Sequence, residues 1–191
     1  IHEVAHNGGC HVHLDGARVF NAAVGLGVDV KEITKHVDSV QFCLSKGLCA
    51  PMGSIVAGPK DFIDRVRKYR KLLGGGTRQL GIVAAAGIVA LEKMVDRLAD
   101  DHANAKRLAA GINKIPGLHV DTEVVQTNMC PVHTRGLGID GPDFVKLMKP
   151  YGVWFNADLP YRVRLVTHND VSTADIDEAL GRFAEAVKSR A

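Results

Sequence analysis

Alternating apolar and polar positions in the first half of the chain predict short strands separated by helices. We predict strands over 10–14, 39–44 and 54–57, because short runs rich in apolar residues there are bounded by turn residues. An amphipathic segment over 19–26 predicts a helix between the first two strands. Strand, helix and strand in this order predict an α/β fold with some parallel sheet.

Two helices with different surfaces follow the third strand. The first, over 60–73, is basic, and the glycine triplet at 74–76 ends it. Thr77 is expected to cap the second helix, which runs to about Met94. This second helix has no polar face, so we expect it to be buried on most sides.

The second half of the chain mixes charged helices with short strands. We predict helices over 97–115 and 142–149 and strands over 118–120, 126–132 and 163–166. The change in texture places a boundary between an α/β domain over 1–96 and a smaller α+β domain over 97–191.

The last helix has the clearest signals in the chain. Ser172 and Asp175 have the spacing of a capping box, in which each side chain bonds the backbone N–H of the other residue. Apolar residues then recur at helical spacing: Ile176, Ala179, Leu180, Phe183 and Val187.

Composition and charge exclude several classes of protein. The net charge is only +3, so there is no electrostatic case for nucleic acid or an anionic membrane as a partner. No apolar run approaches the roughly 20 residues that a membrane-spanning helix needs. We expect a soluble, cytoplasmic protein. Because the chain opens on Ile1 rather than Met, we also expect a fragment or a processed piece.

Cysteine and histidine spacing gives no metal signature. The four cysteines lack a CxxC pair, so we expect reduced and mostly buried thiols: Cys10, Cys43, Cys49 and Cys130. A zinc site on Cys10, His11 and His13 lacks the four-ligand spacing, and we expect both histidines to be hydrogen-bonded core residues. We predict no metal. Residues 136–141 match GxGxxG without a βαβ context, so we expect a turn there.

Chemically reactive side chains follow the first two predicted strands. Asp15 and Arg18 follow the first, and Lys46 follows the second. Ligands bind at strand ends of α/β sheets, and a buried lysine has a lowered pKa that suits it to attack an aldehyde. A carboxylate such as Asp15 can keep the ring nitrogen of pyridoxal phosphate (PLP) protonated. The residues alone leave open a plainer interpretation, in which Lys46 is a solvated turn residue and Asp15 caps a helix.

Four segments of the chain resemble one enzyme family. They are HLDGARVFNAA at 13–23, FCLSKGLCAPMGSIVAG at 42–58, RKLLGGGTRQLG at 70–81 and RLVTHNDVS at 164–172. In this order they resemble the threonine aldolases, within the aspartate-aminotransferase-like (fold type I) PLP enzymes. The resemblance covers essentially the whole chain. It implies that the first domain is the C-terminal part of a PLP-binding large domain.

The resemblance implies roles for individual residues. Lys46 carries PLP as a Schiff base, and Asp15 pairs with the pyridinium nitrogen. Arg18, which also lies beside the cofactor, and Arg164 hold the carboxylate of the amino-acid substrate. A guanidinium can grip a carboxylate through two parallel hydrogen bonds, which orients the bond to be broken.

Two further basic residues flank the glycine triplet. The resemblance implies that Lys71 and Arg78 lie near the cofactor and reach it from a neighbouring subunit of a homotetramer. It also implies that a preceding segment carries the phosphate cup and a ring-stacking histidine. We therefore expect this chain to need that segment, as a companion chain or a cleaved piece. Where relatives have Met after the glycines, this chain has Thr77.

The activity that the resemblance implies is retro-aldol cleavage of threonine or allo-threonine to glycine and acetaldehyde. A related lyase or transaldolase acting on bulkier β-hydroxy amino acids, such as phenylserine, is an alternative. An incomplete, inactive fragment or subunit of a split enzyme is another.

Overall fold

The computed structural model describes residues 1–190, which divide into two compact units, one over 1–98 and one from residue 99 onwards. The first unit holds five helices among these residues: α1 (His2–Asn7), α2 (Val19–Leu26), α3 (Val30–Thr34), α4 (Lys60–Leu72) and α5 (Gly81–Lys93). Its strands are β1 (His13–Asp15), β2 (Ser39–Cys43) and β3 (Ser54–Ala57). The bounds of α2 and β3 are those predicted from the sequence.

The sheet of the first unit has the strand order β1-β2-β3. Strand β1 is parallel to β2, with Leu14 opposite Val40, and β3 is antiparallel to β2, with Ile55 opposite Phe42. A parallel pair needs a crossover connection, which α2 and α3 supply here. The predicted partly parallel sheet is therefore confirmed, and the carboxyl ends of β1 and β2 meet at one edge.

A small apolar core holds the segment after β2 in place. Its buried residues are Leu44, Leu48, Ala50, Ala90 and Leu98. The rings of Phe20 and Phe42 pack edge to face beside it, with centroids 5.3 Å apart. A Cβ atom on Gly47 would lie 2.8 Å from Leu98 Cδ2, so this position accepts only glycine without movement.

Helix α5 differs from the sequence prediction in its start and its burial. It begins at Gly81, not at Thr77, because Gln79 has a left-handed backbone (φ 55°) that interrupts the helical path. Within the described residues the expected burial is wrong, since Ile82 is 84% exposed. Only Gly87 and Ala90 of this helix are buried, so a stripe of small residues makes the contact and the large apolar side chains face away from it.

The second unit is a three-stranded antiparallel sheet with helices, in the strand order β4-β6-β5. Its elements are α6 (Leu98–Ile112), which starts at the end of the first unit, β4 (Met129–His133), α7 (Gly141–Met148), β5 (Asn156–Leu159), β6 (Arg162–Val166) and α8 (Thr173–Lys188). Short 3₁₀ turns fill several connections, including Arg135–Leu137 in the glycine-rich segment at 136–141, where we predicted a turn.

The predicted strand over 118–120 is wrong. The side-chain amide of Asn113 takes both backbone groups of Val120, donating to its carbonyl at 2.8 Å and accepting from its N–H at 2.7 Å. Val120 therefore has no backbone group left for a strand, and only His119 bridges to His133. Strand β5 was missed because Asn156 and Asp158 interrupt its apolar pattern.

Helix α8 confirms the predicted cap and apolar face. Ser172 Oγ accepts from the backbone N–H of Asp175 at 3.2 Å, and the carboxylate of Asp175 accepts from the N–H of Ser172 at 2.8 Å. Phe183 is buried and stacks on Phe144 with ring centroids 5.9 Å apart. Ile176 lies in the same core.

The thiols and histidines are less buried than predicted. All four cysteines are free, as expected, but only Cys130 is buried, while Cys10 and Cys49 are exposed. The expectation of core positions for His11 and His13 is also wrong. The His11 side chain is 90% exposed, and His13 is exposed as well, although its Nδ1 lies 2.8 Å from Ser39 Oγ, within hydrogen-bond distance. No helix within residues 1–190 is long and apolar enough to cross a membrane.

Candidate active site

Asp15 is the last residue of β1 and begins the turn into α2. The backbone N–H of Gly16 donates to the carbonyl of Gln41 on β2 at 2.7 Å, which ties this turn to the neighbouring strand. A Cβ atom on Gly16 would lie 3.1 Å from that carbonyl oxygen, so a small residue suits this approach. Asp15 is exposed, and within residues 1–190 its carboxylate makes no ion pair.

Lys46 lies in a loop that returns the chain from β2 to β3. The Lys46 carbonyl accepts from the N–H of Cys49 at 2.9 Å, and Leu44 pairs with Ala50 at 3.0 Å. Because Leu44 and Leu48 enter the core, Lys46 faces outward and is exposed. The predicted burial of Lys46 is therefore wrong for the described chain.

Cys43, the last residue of β2, connects the two segments. Its backbone N–H donates to the carbonyl of Ala17, two residues after Asp15, at 3.4 Å. A hydrogen bond from the Ser54 hydroxyl, then one from the Gln41 amide and the charge and hydrogen bond of Lys46, lower the pKa of the Cys43 thiol against the opposing effect of burial. The backbone bond of Cys43 therefore joins the end of β2, three residues before Lys46, to the turn that follows Asp15.

The sequence analysis missed Cys43 as part of this group, although a signal was present. Gln41 and Cys43 are two residues apart on β2, so their side chains share one face of the sheet. Asn21, which is 3% exposed, was also missed. A Cβ atom on Gly47 would lie 3.1 Å from Asn21 Oδ1, so Asn21 packs against the residue that follows Lys46.

Arg18 occupies the N-cap position of α2 and is half-buried. It lies within the tight turn in which the N–H of Val19 donates to the carbonyl of Gly16 at 2.8 Å. The structure thus brings Arg18 to the same edge of the sheet as Asp15, which precedes it by three residues in the chain.

Lys71 and Arg78 lie on exposed chain at and beyond the end of α4. The glycine triplet between them folds back on the helix, with the N–H of Gly75 donating to the carbonyl of Arg70 at 2.8 Å. Within residues 1–190, neither basic side chain forms a hydrogen bond or ion pair with Asp15 or Lys46.

Arg164 is in the second unit, on the exposed face of β6 between the buried residues Val163 and Leu165. It borders an open cavity of about 320 Å³, together with Trp154, Asn156 and His168. The neighbouring Arg162 forms an ion pair with Asp158, whose two carboxylate oxygens accept hydrogen bonds from its guanidinium at 3.0 and 2.9 Å. Arg164 makes no such ion pair within the part of the chain that the structure describes.

Buried polar groups fix the chain just after Arg164, and the sequence analysis did not find them. The Thr167 hydroxyl donates to the carbonyl of Asp101 at 2.6 Å, and the Asn128 amide donates to the carbonyl of Thr167 at 2.9 Å. Both side chains are almost fully buried. These bonds hold the end of β6 and the loop that carries His168.

Together the fold and these strand-end residues define an α/β protein with an accessible amine and carboxylate at one edge of a parallel strand pair. The family model described as beta-eliminating lyase matches residues 1–135, more than half of the chain. The chain therefore belongs to the beta-eliminating lyase family. This family and the relatives below confirm the resemblance to threonine aldolases.

Curated relatives and a solved structure agree with this membership. The chain is 39% identical over 188 residues to low-specificity L-threonine aldolase 1 of Arabidopsis thaliana, covering 98% of this chain and 52% of that protein. It is 43% identical over 174 residues to the low specificity L-threonine aldolase of Escherichia coli strain K12, covering 90% and 50%. A crystal structure from Exiguobacterium sp. 255-15, described as a candidate aromatic amino acid beta-eliminating lyase/threonine aldolase, matches with a TM-score of 0.78 and 25% identity over 97% of this chain and 55% of that one.

The chain spans about half the length of the curated relatives that it matches. The structural match confirms the predicted α/β fold class of the fold type I enzymes, of which this chain represents a part.

Proposed function

We propose that the polypeptide containing this chain is a PLP-dependent carbon–carbon lyase that cleaves threonine or allo-threonine to glycine and acetaldehyde. The observation that carries the proposal is the backbone bond from Cys43 to Ala17, which joins the end of β2, three residues before Lys46, to the turn that follows Asp15. The named activities of the Arabidopsis and E. coli relatives support the same chemistry.

The residues at this edge fit PLP by their chemistry. PLP presents an aldehyde, which requires a primary amine, and a ring nitrogen, which requires an acid partner. Lys46 and Asp15 are these two groups, and both side chains are exposed on the described chain, so a ligand can reach them. When bound, PLP supplies an electron sink for the pair released as the Cα–Cβ bond of the substrate breaks.

Each of the four proposed site residues then has a defined role. The Asp15 carboxylate holds a proton on the ring nitrogen, because an ion pair favours the charged form of that nitrogen. Lys46 would supply the primary amine that holds the aldehyde of the cofactor. Arg18 and Arg164 bind the substrate carboxylate, and a two-point contact fixes the angle of the bond that breaks.

The remaining expectations belong to the same proposal. Lys71 and Arg78 act on a cofactor held by a neighbouring subunit of a homotetramer, and their exposure in the single chain supports this. The complete site includes residues of a companion segment outside this chain. The protein works in the cytoplasm, and its four free thiols suit a reducing compartment.

A product assay on the complete natural polypeptide tests the activity. With PLP present, threonine and allo-threonine should yield acetaldehyde and glycine in equal amounts, and faster than phenylserine is cleaved. Lys46→Ala should reduce turnover by roughly a thousandfold or more, whereas the exposed Lys68→Ala should leave it unchanged. Equal activity of the Lys46→Ala and parent proteins would refute the role of Lys46.

A further inference from the structure

Three potential metal ligands meet at the start of the first unit, away from the proposed active site. His2 and His6 lie one turn apart on α1, with ring centroids 4.0 Å apart. His6 Nε2 lies 3.0 and 2.9 Å from the two carboxylate oxygens of Asp38. One ligand atom from each of the three residues lies within 4.8 Å of the others.

The local sequence explains why these groups converge. Residues 2–6 read His-Glu-Val-Ala-His, and a helix places histidines four residues apart on one face, as in the HExxH zinc motif. Asp38 is held in position because its Oδ2 accepts from the backbone N–H of Val12 at 2.7 Å. The other oxygen of this carboxylate, Oδ1, has His6 as its one hydrogen-bond partner within the described residues.

We propose that His2, His6 and Asp38 form a binding site for a divalent transition metal such as Zn²⁺. Two imidazole nitrogens and a carboxylate oxygen are a donor set that suits zinc better than magnesium or calcium, which prefer oxygen ligands alone. Three protein ligands leave a fourth position for water or for His11, whose Nδ1 lies 3.8 Å from Asp38 Oδ2.

The site lies at the opposite end of β2 from Lys46. Asp38 precedes the first residue of β2 and Cys43 is the last, so these two residues are separated along the strand by roughly 17 Å at about 3.3 Å per residue. A metal ion here would join α1 to the sheet. The metal-site proposal therefore does not depend on the PLP proposal, and each can be tested separately.

The simpler interpretation is an ion pair between His6 and Asp38 with no role for a metal. That interpretation gives His2 no function. Its ring nevertheless lies against the ring of His6, and one of its nitrogens lies within 4.8 Å of the ligand atoms of His6 and Asp38. The two interpretations differ in what replacement of His2 does. If the site binds a metal, replacement of His2 lowers the affinity for that metal even though the His6–Asp38 pair is left intact.

Calorimetric titration of Zn²⁺ into the complete natural polypeptide, loaded with PLP and freed of other metals, separates them. At about pH 7.5, where imidazoles are mostly neutral, one equivalent should bind. His2→Ala and His6→Gln should each weaken binding by tenfold or more. His6→Gln keeps a donor for Asp38, so it preserves the structural bond. The exposed His36→Ala is the matched control and should bind like the parent.

A second probe identifies the ligand atoms. Co²⁺ bound by nitrogen and oxygen should give a visible spectrum that Cys10→Ser leaves unchanged and His2→Ala abolishes. No binding of Zn²⁺ to the parent, or equal binding by the parent and His2→Ala, would overturn the proposal. Loss of the spectrum in Cys10→Ser would also overturn it, since it would make a thiol the ligand.

Discussion

Asp15 on β1 stands opposite Gln41 on β2 in the parallel strand pair of the first unit. Two residues further along β2, the backbone N–H of Cys43 donates to the carbonyl of Ala17, and Lys46 follows three residues later. The register of one strand pair thus sets the distance between the acid and the amine of the proposed site. A change that shifts this register affects both groups together.

Replacement of Asp15 tests its role at the ring nitrogen. Asp15→Asn removes the charge but keeps the size, so the nitrogen loses the partner that keeps it protonated. We expect kcat to fall by roughly a hundredfold or more, with PLP still bound through Lys46. Steady-state kinetics with threonine measure this loss. Asp61→Asn, an exposed change on α4, is the control, and equal kcat in Asp15→Asn and parent would contradict the role.

Replacement of Arg164 tests the carboxylate contact. Arg164→Lys keeps the positive charge but cannot form two parallel hydrogen bonds with a carboxylate. We expect KM for threonine to rise by roughly tenfold, with a further loss in kcat if the bond angle is disturbed. Arg67→Lys, at an exposed position on α4, should leave both constants unchanged. An unchanged KM in Arg164→Lys would show that this residue does not hold the substrate.

The thiols of Cys43 and Cys130 should differ in reactivity. The Ser54 hydroxyl, then Gln41 and Lys46, lower the pKa of Cys43, so its thiolate forms at lower pH than an ordinary thiol. Burial raises the pKa of Cys130 to about 12. Iodoacetamide labelling followed by peptide mass spectrometry should modify Cys43 well before Cys130. Ser54→Ala should move the labelling of Cys43 to higher pH, and an unaltered pH profile would contradict the assigned cause.

The Asp158–Arg162 pair should contribute a pH-dependent stability. The hydrogen bonds from Arg162 lower the pKa of Asp158 below its ordinary value of 3.8, so the folded state favours the charged carboxylate. This stabilisation is present above about pH 4 and is lost as the pH falls through the lowered pKa of the folded state. Asp158→Asn should cost at most about 1 kcal/mol at neutral pH, since the pair is partly exposed.

Urea unfolding of the parent and Asp158→Asn at several pH values measures this effect. The two proteins should converge in stability as the pH falls toward 2. A difference that stays constant over this range would mean that the carboxylate charge is not its source.

The capping box of α8 should be worth a measurable part of the stability. Ser172→Ala removes the acceptor for the backbone N–H of Asp175, which costs about 1 kcal/mol at a helix N-terminus. Glu185→Ala, exposed on the same helix, controls for changes in helix propensity. Thermal unfolding of the parent and of both variants measures the effect. Equal midpoints for Ser172→Ala and the parent would show that the capping box contributes nothing.

Elements whose stability comes from their own residues were predicted well. The helix α2, the strand β3 and the cap of α8 follow from local apolar spacing and from side chains that bond nearby backbone. The grouping of Asp15, Arg18 and Lys46 near one edge also follows from strand order, since β1 and β2 are parallel.

What the sequence could not predict depends on contacts between distant residues. The exposure of Lys46 depends on which loop residues enter the core, and the exposure of Ile82 depends on what packs against α5. The missing strand at 118–120 depends on the Asn113 side chain, which competes for the backbone of Val120. In the proposed tetramer, the arrangement of Lys71 and Arg78 relative to the site depends on a neighbouring subunit, which we propose and which the sequence of one chain does not describe.

The central claim is that Lys46 forms the covalent bond to PLP beside Asp15. Borohydride reduction of the PLP-loaded natural polypeptide, followed by peptide mapping, tests it most directly. We predict that the visible absorption of the bound cofactor disappears and that the reduced pyridoxyl group is found on Lys46. Finding the label on another lysine, or finding none, would contradict the claim.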